Sequence, residues 1–211
     1  MGLKQGLFVT LEGPDGSGKS TQRALLAQAL RAFGYKVVET REPGGSPLAE
    51  RIRKLVLDPA NKGLRNGTEL LLFEAARFQH VEDSIRPALA KGCVVLCDRF
   101  TDSTVAYQGA GRALAKADVA WLNRFACSGL KPDLTLVYDL GVKEGLRRAR
   151  RAKGKADRME KVAQGFHARV RLAFRAMARK EPKRMKLLAV NGRAPHAIAE
   201  EGLALILKRL P

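Results

Sequence analysis

One short segment, residues 13–21, constrains the fold of this chain more than any other. It contains the pattern G-x-x-x-x-G-K-S, which ends at Lys19 and Ser20. An apolar run at residues 7–11 precedes it, and a helix-like stretch at residues 22–30 follows it. A glycine-rich turn between a buried strand and a helix is the context in which this pattern cradles phosphate groups. The sequence therefore predicts a nucleotide phosphate loop that leads into a helix.

The chemistry of this loop follows from its residue types. Glycines let successive backbone N–H groups point inward at an anion, and the helix N-terminus adds positive potential. Lys19 offers a mobile charge to the β- and γ-phosphates of a nucleotide, and Ser20 offers a hydroxyl to Mg²⁺. The loop therefore predicts a nucleoside triphosphate bound with Mg²⁺. The predicted cofactor-binding residues are Gly13, Pro14, Asp15, Gly16, Ser17, Gly18, Lys19, Ser20 and Thr21.

Strand-like and helix-like segments alternate along the rest of the chain. Short apolar runs predict strands, and 3.6-residue periodicity predicts helices between them. This alternation favours an α/β fold with a parallel sheet whose ligands bind beyond the carboxyl ends of the strands. Thr68 is the predicted cap of one helix. The predicted strands are 7–11, 35–40, 93–97, 134–139 and 186–190, and the predicted helices include 47–57, 116–128, 142–152, 161–179 and 195–210.

Length and composition limit the possible classes of protein. The 211 residues suggest a single domain spanning 1–211. No run of 18 apolar residues occurs, so we expect no membrane partner, and the early first strand leads us to expect a cytoplasmic protein. Cys93, Cys97 and Cys127 are an odd number for a disulfide framework, so we expect small buried thiols.

Positive charge is concentrated in the C-terminal half. Residues 143–193 hold 18 Lys and Arg against 4 Asp and Glu, which is most of the net charge of +18. A basic half is compatible with nucleic-acid binding, but aromatic residues do not interleave with these charges as a single-strand binder would need. We therefore expect no specific nucleic-acid partner.

Two further groups of residues have functional character. Asp98 ends a predicted strand that faces the phosphate loop, where it can order Mg²⁺, and Arg99 beside it can clamp phosphate oxygens with its planar fork. Phe73 and Arg77 lie four residues apart, so they share one helix face. An aromatic ring and a guanidinium together can hold a nucleobase.

These residues resemble the bacterial thymidylate kinase family over nearly the whole chain. The shared landmarks occur in order and at the expected separations. They are the phosphate loop, Arg41-Glu42-Pro43-Gly44-Gly45, Phe73 with Arg77, Asp98-Arg99-Phe100, Ser103-Thr104-Val105-Ala106-Tyr107-Gln108-Gly109, Pro132-Asp133-Leu134-Thr135 and Asp157-Arg158. The resemblance implies phosphorylation of dTMP with ATP and Mg²⁺ as the cofactors, a five-stranded parallel sheet in the order 2-3-1-4-5, and a homodimer.

The resemblance also implies roles for individual residues. Asp15 is expected at the sugar 3′-hydroxyl, and Tyr107 is expected to crowd C2′ and disfavour ribose. The dTMP phosphate is expected among Arg53, Arg99, Glu42 and Pro43. The thymine is expected to stack on Phe73, with its polar edge read by Arg77, Thr104 and Gln108 and with Ser103 as a neighbour.

A basic segment, 148–160, occupies the place of the mobile lid in this family. The phosphate loop lacks an arginine, and the position just before the lid glycine, where relatives of this kind carry an arginine, holds Lys153. Lysine lacks the bidentate fork of arginine. Arg150 or Arg151 could substitute from one turn back, or Lys153 could serve as a point charge. Our hypothesis is that Arg151 or Arg158 contacts the transferring phosphoryl group. Lys19, Arg99, Arg151, Lys153 and Arg158 are the predicted catalytic residues, and Ser20 and Asp98 are the predicted metal ligands.

Three other functions compete with this interpretation. A kinase of another nucleoside monophosphate would differ at the base-reading residues. A regulatory GTPase would need an Asn-Lys-x-Asp motif, which the sequence lacks. A basic nucleic-acid-binding ATP switch would have little use for Phe73, Arg77, Tyr107 and Gln108.

Overall fold

The structure is a computed structural model that describes residues 3, 5–153, 158–159 and 162–210, without the side chains of residues 152 and 153. Its centre is a parallel sheet of five strands in the order β2-β3-β1-β4-β5, as the resemblance implied. The strands are short and largely buried, since helices cover both faces of the sheet. They are β1 (Leu7–Glu12), β2 (Val37–Arg41), β3 (Val94–Asp98), β4 (Leu134–Asp139) and β5 (Met185–Ala189).

Helices connect the strands and pack on the two faces of the sheet. Within the described residues they are α1 (Lys19–Ala32), α2 (Pro47–Leu57), α3 (Asn66–His80), α4 (Arg86–Ala90), α5 (Thr101–Thr104), α6 (Lys116–Cys127), α7 (Val142–Lys153), α8 (Gln164–Lys180) and α9 (Pro195–Leu207). Two π-helical turns, Val81–Ile85 and Val105–Gly111, continue α3 into α4 and extend α5.

Most predicted boundaries lie within three residues of the observed ones, and α3 begins earlier than predicted. The helix begins at Asn66, so Thr68 lies in its first turn and the prediction of Thr68 as its cap is wrong. Pro87 sits in the first turn of α4, directly after a π-helical turn. Proline has no backbone N–H, so Pro87 cannot donate to the hydrogen bonds of this continuous helical segment.

Packing on the two faces of the sheet fixes the strands beneath the site. On one face Leu26 of α1 and Ile198 of α9 pack against Leu136 of β4 and its neighbours. On the other face Phe8 meets Phe100 edge to face, with ring centroids 4.9 Å apart. The cysteines are free and buried, which confirms that prediction.

The topology brings four loops to one edge of the sheet. Leu11 of β1 lies beside Asp98 of β3, which in turn pairs with Arg41 of β2. The loops that follow these strands, and the loop after β4, therefore open on one cleft. Among the residues that the structure describes, no helix has both the length and the hydropathy needed to cross a bilayer.

Candidate functional site

The phosphate loop has the backbone geometry that its glycines allow. Gly13, Gly16 and Gly18 adopt φ values of 136°, 72° and 88°, which L side chains rarely adopt. A Cβ on Gly16 would also overlap the carbonyl oxygen of Gly145 in α7. The loop is therefore wedged between the end of β1 and α7, and its backbone needs glycine for space as well as for conformation.

Lys19 and Ser20 begin α1 at the mouth of this loop. The Nζ atom of Lys19 donates to the carbonyl oxygens of Gly13 and Pro14, at 3.1 and 2.9 Å. Burial and the neighbouring Arg99 lower the pKa of Lys19 to about 8. The Ser20 hydroxyl donates to an oxygen of Asp98 at 2.9 Å.

The pair Ser20–Asp98 fits a Mg²⁺ site of the kind found in nucleotide enzymes. Mg²⁺ is usually held by one or two protein oxygens, with waters and substrate phosphates as the other ligands. The pair supplies a hydroxyl and a carboxylate at the edge of the phosphate loop. A cluster of three or more His, Cys, Asp or Glu ligands does not occur in the described part of the chain.

Arg99 connects the phosphate loop to the helical side of the cleft. Its backbone adopts φ 75°, and its guanidinium donates to the carbonyl of Gly13, to Asp15 at 2.6 Å, to Ser103 and to the Tyr107 hydroxyl at 2.9 Å. Burial alone would raise the pKa of Asp15, but the charges of Arg99 and Lys19 outweigh burial and lower it. Asp15 is therefore an anionic acceptor between two cations.

Glu12 holds the chain on either side of Arg99. Its carboxylate accepts hydrogen bonds from the backbone N–H groups of Phe100 and Ser103 and from the Ser103 hydroxyl at 2.6 Å. The side chain is fully buried. Burial and the nearby Asp102 raise the pKa of Glu12 to about 8.

Next to this cluster lies a cavity of about 100 Å³ with both apolar and charged walls. The Arg77 guanidinium in its wall is held by three side chains, because it donates to Glu42 at 2.7 Å, to Glu74 at 2.8 Å and to Asn123 at 2.7 Å. The peptide bond between Glu42 and Pro43 is cis. The cavity is lined by Asp15, Glu42, Pro43, Arg53, Leu57, Phe73, Arg77, Arg99, Phe100, Ser103, Thr104, Tyr107, Gln108 and Met159.

A larger cleft of about 470 Å³ surrounds the phosphate loop. It takes in the loop from Asp15 to Thr21, together with Asp98. Asp15, Glu42, Arg53 and Arg99 line both this cleft and the smaller cavity. The two spaces therefore adjoin, and cations stand at their boundary.

The structure brings most of the predicted site residues together. All the residues predicted to bind dTMP line the smaller cavity. All the predicted cofactor-binding residues except Gly13 and Pro14 line the larger cleft. The carbonyls of those two residues bind Lys19 and, for Gly13, Arg99 as well.

The described lid residues are divided between the two spaces, since Arg148 lines the larger cleft and Met159 lines the smaller cavity. Arg158 donates to the carbonyl of Val56 at 2.9 Å and pairs with Glu69 at 2.6 Å, on the side of the smaller cavity. Arg151 is exposed on α7. The side chain of Lys153 and residues 154–157 lie outside what the structure describes, as do two residues, 160 and 161, at the end of the lid.

Sequence reasoning missed several residues at the site. Glu12 and Glu69 are fully buried carboxylates, and Arg193 lines the larger cleft. Arg148, which also lines that cleft, was predicted as part of the lid but not as a site residue. Glu12 was recognisable as a charged residue at the end of an otherwise apolar strand, next to the phosphate loop. No local sequence pattern indicated that Glu69 would be buried, because its partners come from distant segments of the chain.

A family model, curated proteins and a solved structure match this chain over most of its length. The family described as "Thymidylate kinase" matches residues 11–197. The thymidylate kinase of Ectopseudomonas mendocina (strain ymp) is 56% identical over 183 residues, which are 87% of each chain. That of Pseudomonas fluorescens (strain SBW25) is 53% identical over 205 residues, 97% of this chain and 96% of its own.

A solved structure gives the same result. The crystal structure of thymidylate kinase from Ehrlichia chaffeensis superposes with a TM-score of 0.79 at 33% identity, and the match covers 96% of this chain and 99% of that one. The α/β fold and the resemblance predicted from the sequence are both confirmed.

The raised pKa of Glu12 predicts how the free energy of unfolding depends on pH. Folding raises its pKa from 4.5 to about 8, so the folded protein holds a proton that the unfolded chain releases between these values. The contribution of Glu12 to the free energy of unfolding therefore falls as the pH rises from 4.5 through 8. Urea denaturation of the wild type and of Glu12→Gln at pH 6 and pH 8 should show a smaller loss of stability in the variant. An equal loss in both proteins would contradict this assignment.

Proposed function

This chain belongs to the thymidylate kinase family, and we propose that it transfers the γ-phosphoryl group of Mg²⁺·ATP to the 5′-phosphate of dTMP. The products are dTDP and ADP. The observation that carries the proposal is the position of Arg99 and Arg53, which line both the phosphate-loop cleft and the smaller cavity. The phosphates of two nucleotides bound in these adjoining spaces would therefore both lie next to Arg53 and Arg99.

The larger cleft takes ATP. The backbone N–H groups of the phosphate loop and the N-terminus of α1 surround the phosphates, and Lys19 supplies charge to the β- and γ-phosphates. Ser20 and Asp98 hold Mg²⁺, which neutralises phosphate charge when it is bound. Arg148 of α7 adds a further cation at the rim of this cleft.

The smaller cavity takes dTMP. Its phosphate lies at Arg53, Arg99 and the Glu42–Pro43 turn, where the Arg53 guanidinium already donates to the Pro43 carbonyl at 2.6 Å. The thymine stacks on Phe73, and its polar edge faces Arg77, Thr104 and Gln108, with Ser103 as a neighbour. Asp15 accepts the 3′-hydroxyl, and Tyr107, held by Asp15 at 3.0 Å, leaves no room for a 2′-hydroxyl.

Catalysis in this arrangement comes from alignment and charge neutralisation, because phosphoryl transfer needs little covalent chemistry from the protein. Four hydrogen-bond acceptors hold the Arg99 guanidinium in place. It therefore contacts the dTMP phosphate without reorganising. The lid, residues 148–160, excludes water and brings a further cation to the transferring group. Arg151, Arg158 and Lys153 are the candidates for that cation.

The proposal extends to a homodimer that acts in the cytoplasm. Leu71 and Phe78 of α3 are exposed, as are Trp121 and Phe125 of the adjoining α6. The three aromatic rings form a stack, with centroids 5.7 and 5.8 Å apart. A second copy of the chain would bury this apolar face. The free buried cysteines fit a reducing compartment.

A panel of nucleotide acceptors tests the proposed activity. With Mg²⁺·ATP, ADP release should be fastest with dTMP, slower with dUMP and poor with the ribose form of TMP. Lys19→Met should lower kcat by about 10²-fold or more, because a charge that stabilises the transition state is lost. Lys91→Met, an exposed lysine just before β3 at the opposite edge of the sheet, is the control. Equal rates with dCMP or dGMP would overturn the assignment.

Alanine substitutions in the lid test the additional cation. Arg151→Ala should lower kcat by about 10-fold or more, with little change in the thermal midpoint of unfolding, because Arg151 is exposed. Arg158→Ala should lower kcat by a similar factor and should also lower the thermal midpoint, because it removes one partner of the buried Glu69. Arg147→Ala is the matched control, because Arg147 is exposed and pairs with Glu144. Unchanged kcat in both test variants would remove Arg151 and Arg158 from the catalytic set.

Sedimentation equilibrium tests the homodimer. The wild type should sediment as a dimer and Trp121→Glu as a monomer, because the variant places a charge in the apolar face. Leu172→Glu, at an exposed leucine of α8, should leave the dimer intact. A monomeric wild type would refute this part of the proposal.

A further inference from the structure

We propose that Glu69 is a positioning residue that fixes which end of the Gln108 amide faces the base, and so makes the enzyme select thymine over cytosine. This inference rests on the proposed function, because it takes the smaller cavity as the base site. It adds a residue that does not line that cavity to the determinants of specificity.

Glu69 is a carboxylate with no exposed surface, in the first turns of α3. Its Oε1 accepts from the Nε2 atom of Gln108 at 2.9 Å and from Arg112 at 3.2 Å. Its Oε2 accepts from Arg112 at 3.0 Å and from Arg158 at 2.6 Å. Two guanidinium groups and one amide therefore surround it.

These partners keep Glu69 ionised. Burial alone would raise its pKa, but hydrogen bonds from Arg112 and Gln108 outweigh burial and lower it. An ionised carboxylate can only accept hydrogen bonds. Gln108 must therefore turn its NH₂ group toward Glu69, since its carbonyl oxygen would repel the carboxylate.

The other end of the amide is left for the ligand. Gln108 lines the cavity, and no residue in the described part of the chain donates to its Oε1 atom. Because Glu69 holds the NH₂ group, the cavity is offered a hydrogen-bond acceptor at this position. A free glutamine could rotate its amide and offer either a donor or an acceptor.

Arg77 supplies the complementary group. A guanidinium has donors only, and its Nε and Nη1 atoms are used by Glu42, Glu74 and Asn123. A donor beside an acceptor matches thymine, whose O4 accepts and whose N3–H donates. Cytosine presents the reverse pair, an amino donor at N4 and an acceptor at N3, so both contacts would be mismatched.

A second buried carboxylate acts in the same sense. Glu74 accepts from the Nη1 atom of Arg77 at 2.8 and 2.9 Å. It therefore helps to hold the donor guanidinium of Arg77 at the wall of the cavity. The polar wall of the cavity is thus biased toward a ligand with an acceptor beside an N3–H group.

The test is the substrate preference of Glu69→Gln. A glutamine at this position can donate to Gln108, so both orientations of the Gln108 amide become available. The ratio of kcat/KM for dTMP to that for dCMP should fall about 10-fold or more, with a higher KM for dTMP and a higher kcat/KM for dCMP than in the wild type. A purely structural role would lower both activities together. An unchanged ratio would overturn the proposal.

Asp139→Asn is the matched control. Asp139 is also a largely buried carboxylate between two arginines, Arg171 and Arg175, but it lines neither cavity. In Asp139→Asn the ratio of kcat/KM for dTMP to that for dCMP should equal the wild-type ratio. If this ratio fell as far in Asp139→Asn as in Glu69→Gln, a general loss of packing would explain both results, and the proposed role of Glu69 would be overturned.

Gln108→Leu keeps the test decisive if Glu69→Gln does not fold, because it leaves both ion pairs of Glu69 in place. Its kcat/KM for dTMP should fall about 10-fold while that for dCMP does not fall, and a preserved ratio would overturn the inference. A wild type without any preference for dTMP over dCMP would refute the proposed function itself.

Discussion

The rest of the site depends on the hydrogen bonds of the Arg99 guanidinium. Arg99 follows β3, and its backbone adopts a left-handed conformation. Its guanidinium donates to the phosphate loop, to Asp15 and to Tyr107. A charge removed from water must be paired, or it would destabilise the fold. Glu12 supports this arrangement by holding the backbone on either side of Arg99. The loop of β1 and the helices after β3 are thereby fixed as one unit, and the two cavities meet at that unit.

The sequence predicted the parts of this site that depend on local chemistry. The phosphate loop lies between β1 and α1 because the glycine pattern, the apolar run before it and the helix after it all act over a few residues. Asp98 and Arg99 were placed correctly at the edge of the sheet because β3 ends there. The strand order and the acceptor residues came from the resemblance, since spacing alone left the pair Phe73 and Arg77 open to a structural role.

The remaining features depend on contacts between distant segments. Glu69 meets Arg112 and Arg158, which lie 43 and 89 residues away along the chain, and no local pattern indicates such a cluster. The wrong start of α3 has a related cause, because Asn66, Gly67 and Thr68 all have the composition of a helix start and packing against α2 and α6 decides among them. The positive charge of the C-terminal half is also partly internal, since Arg171 and Arg175 pair with Asp139, and Arg184 pairs with Asp102.

The central claim is that one cleft holds both substrates, with Arg99 at their meeting point. A crystal structure of the protein with dTMP and a non-hydrolysable ATP analogue tests it most directly. The account predicts the analogue's terminal phosphate at Lys19, the dTMP phosphate in contact with Arg99, and the thymine between Phe73 and the amide of Gln108. A dTMP molecule bound outside the smaller cavity, or a phosphate with no contact to Arg99, would contradict it.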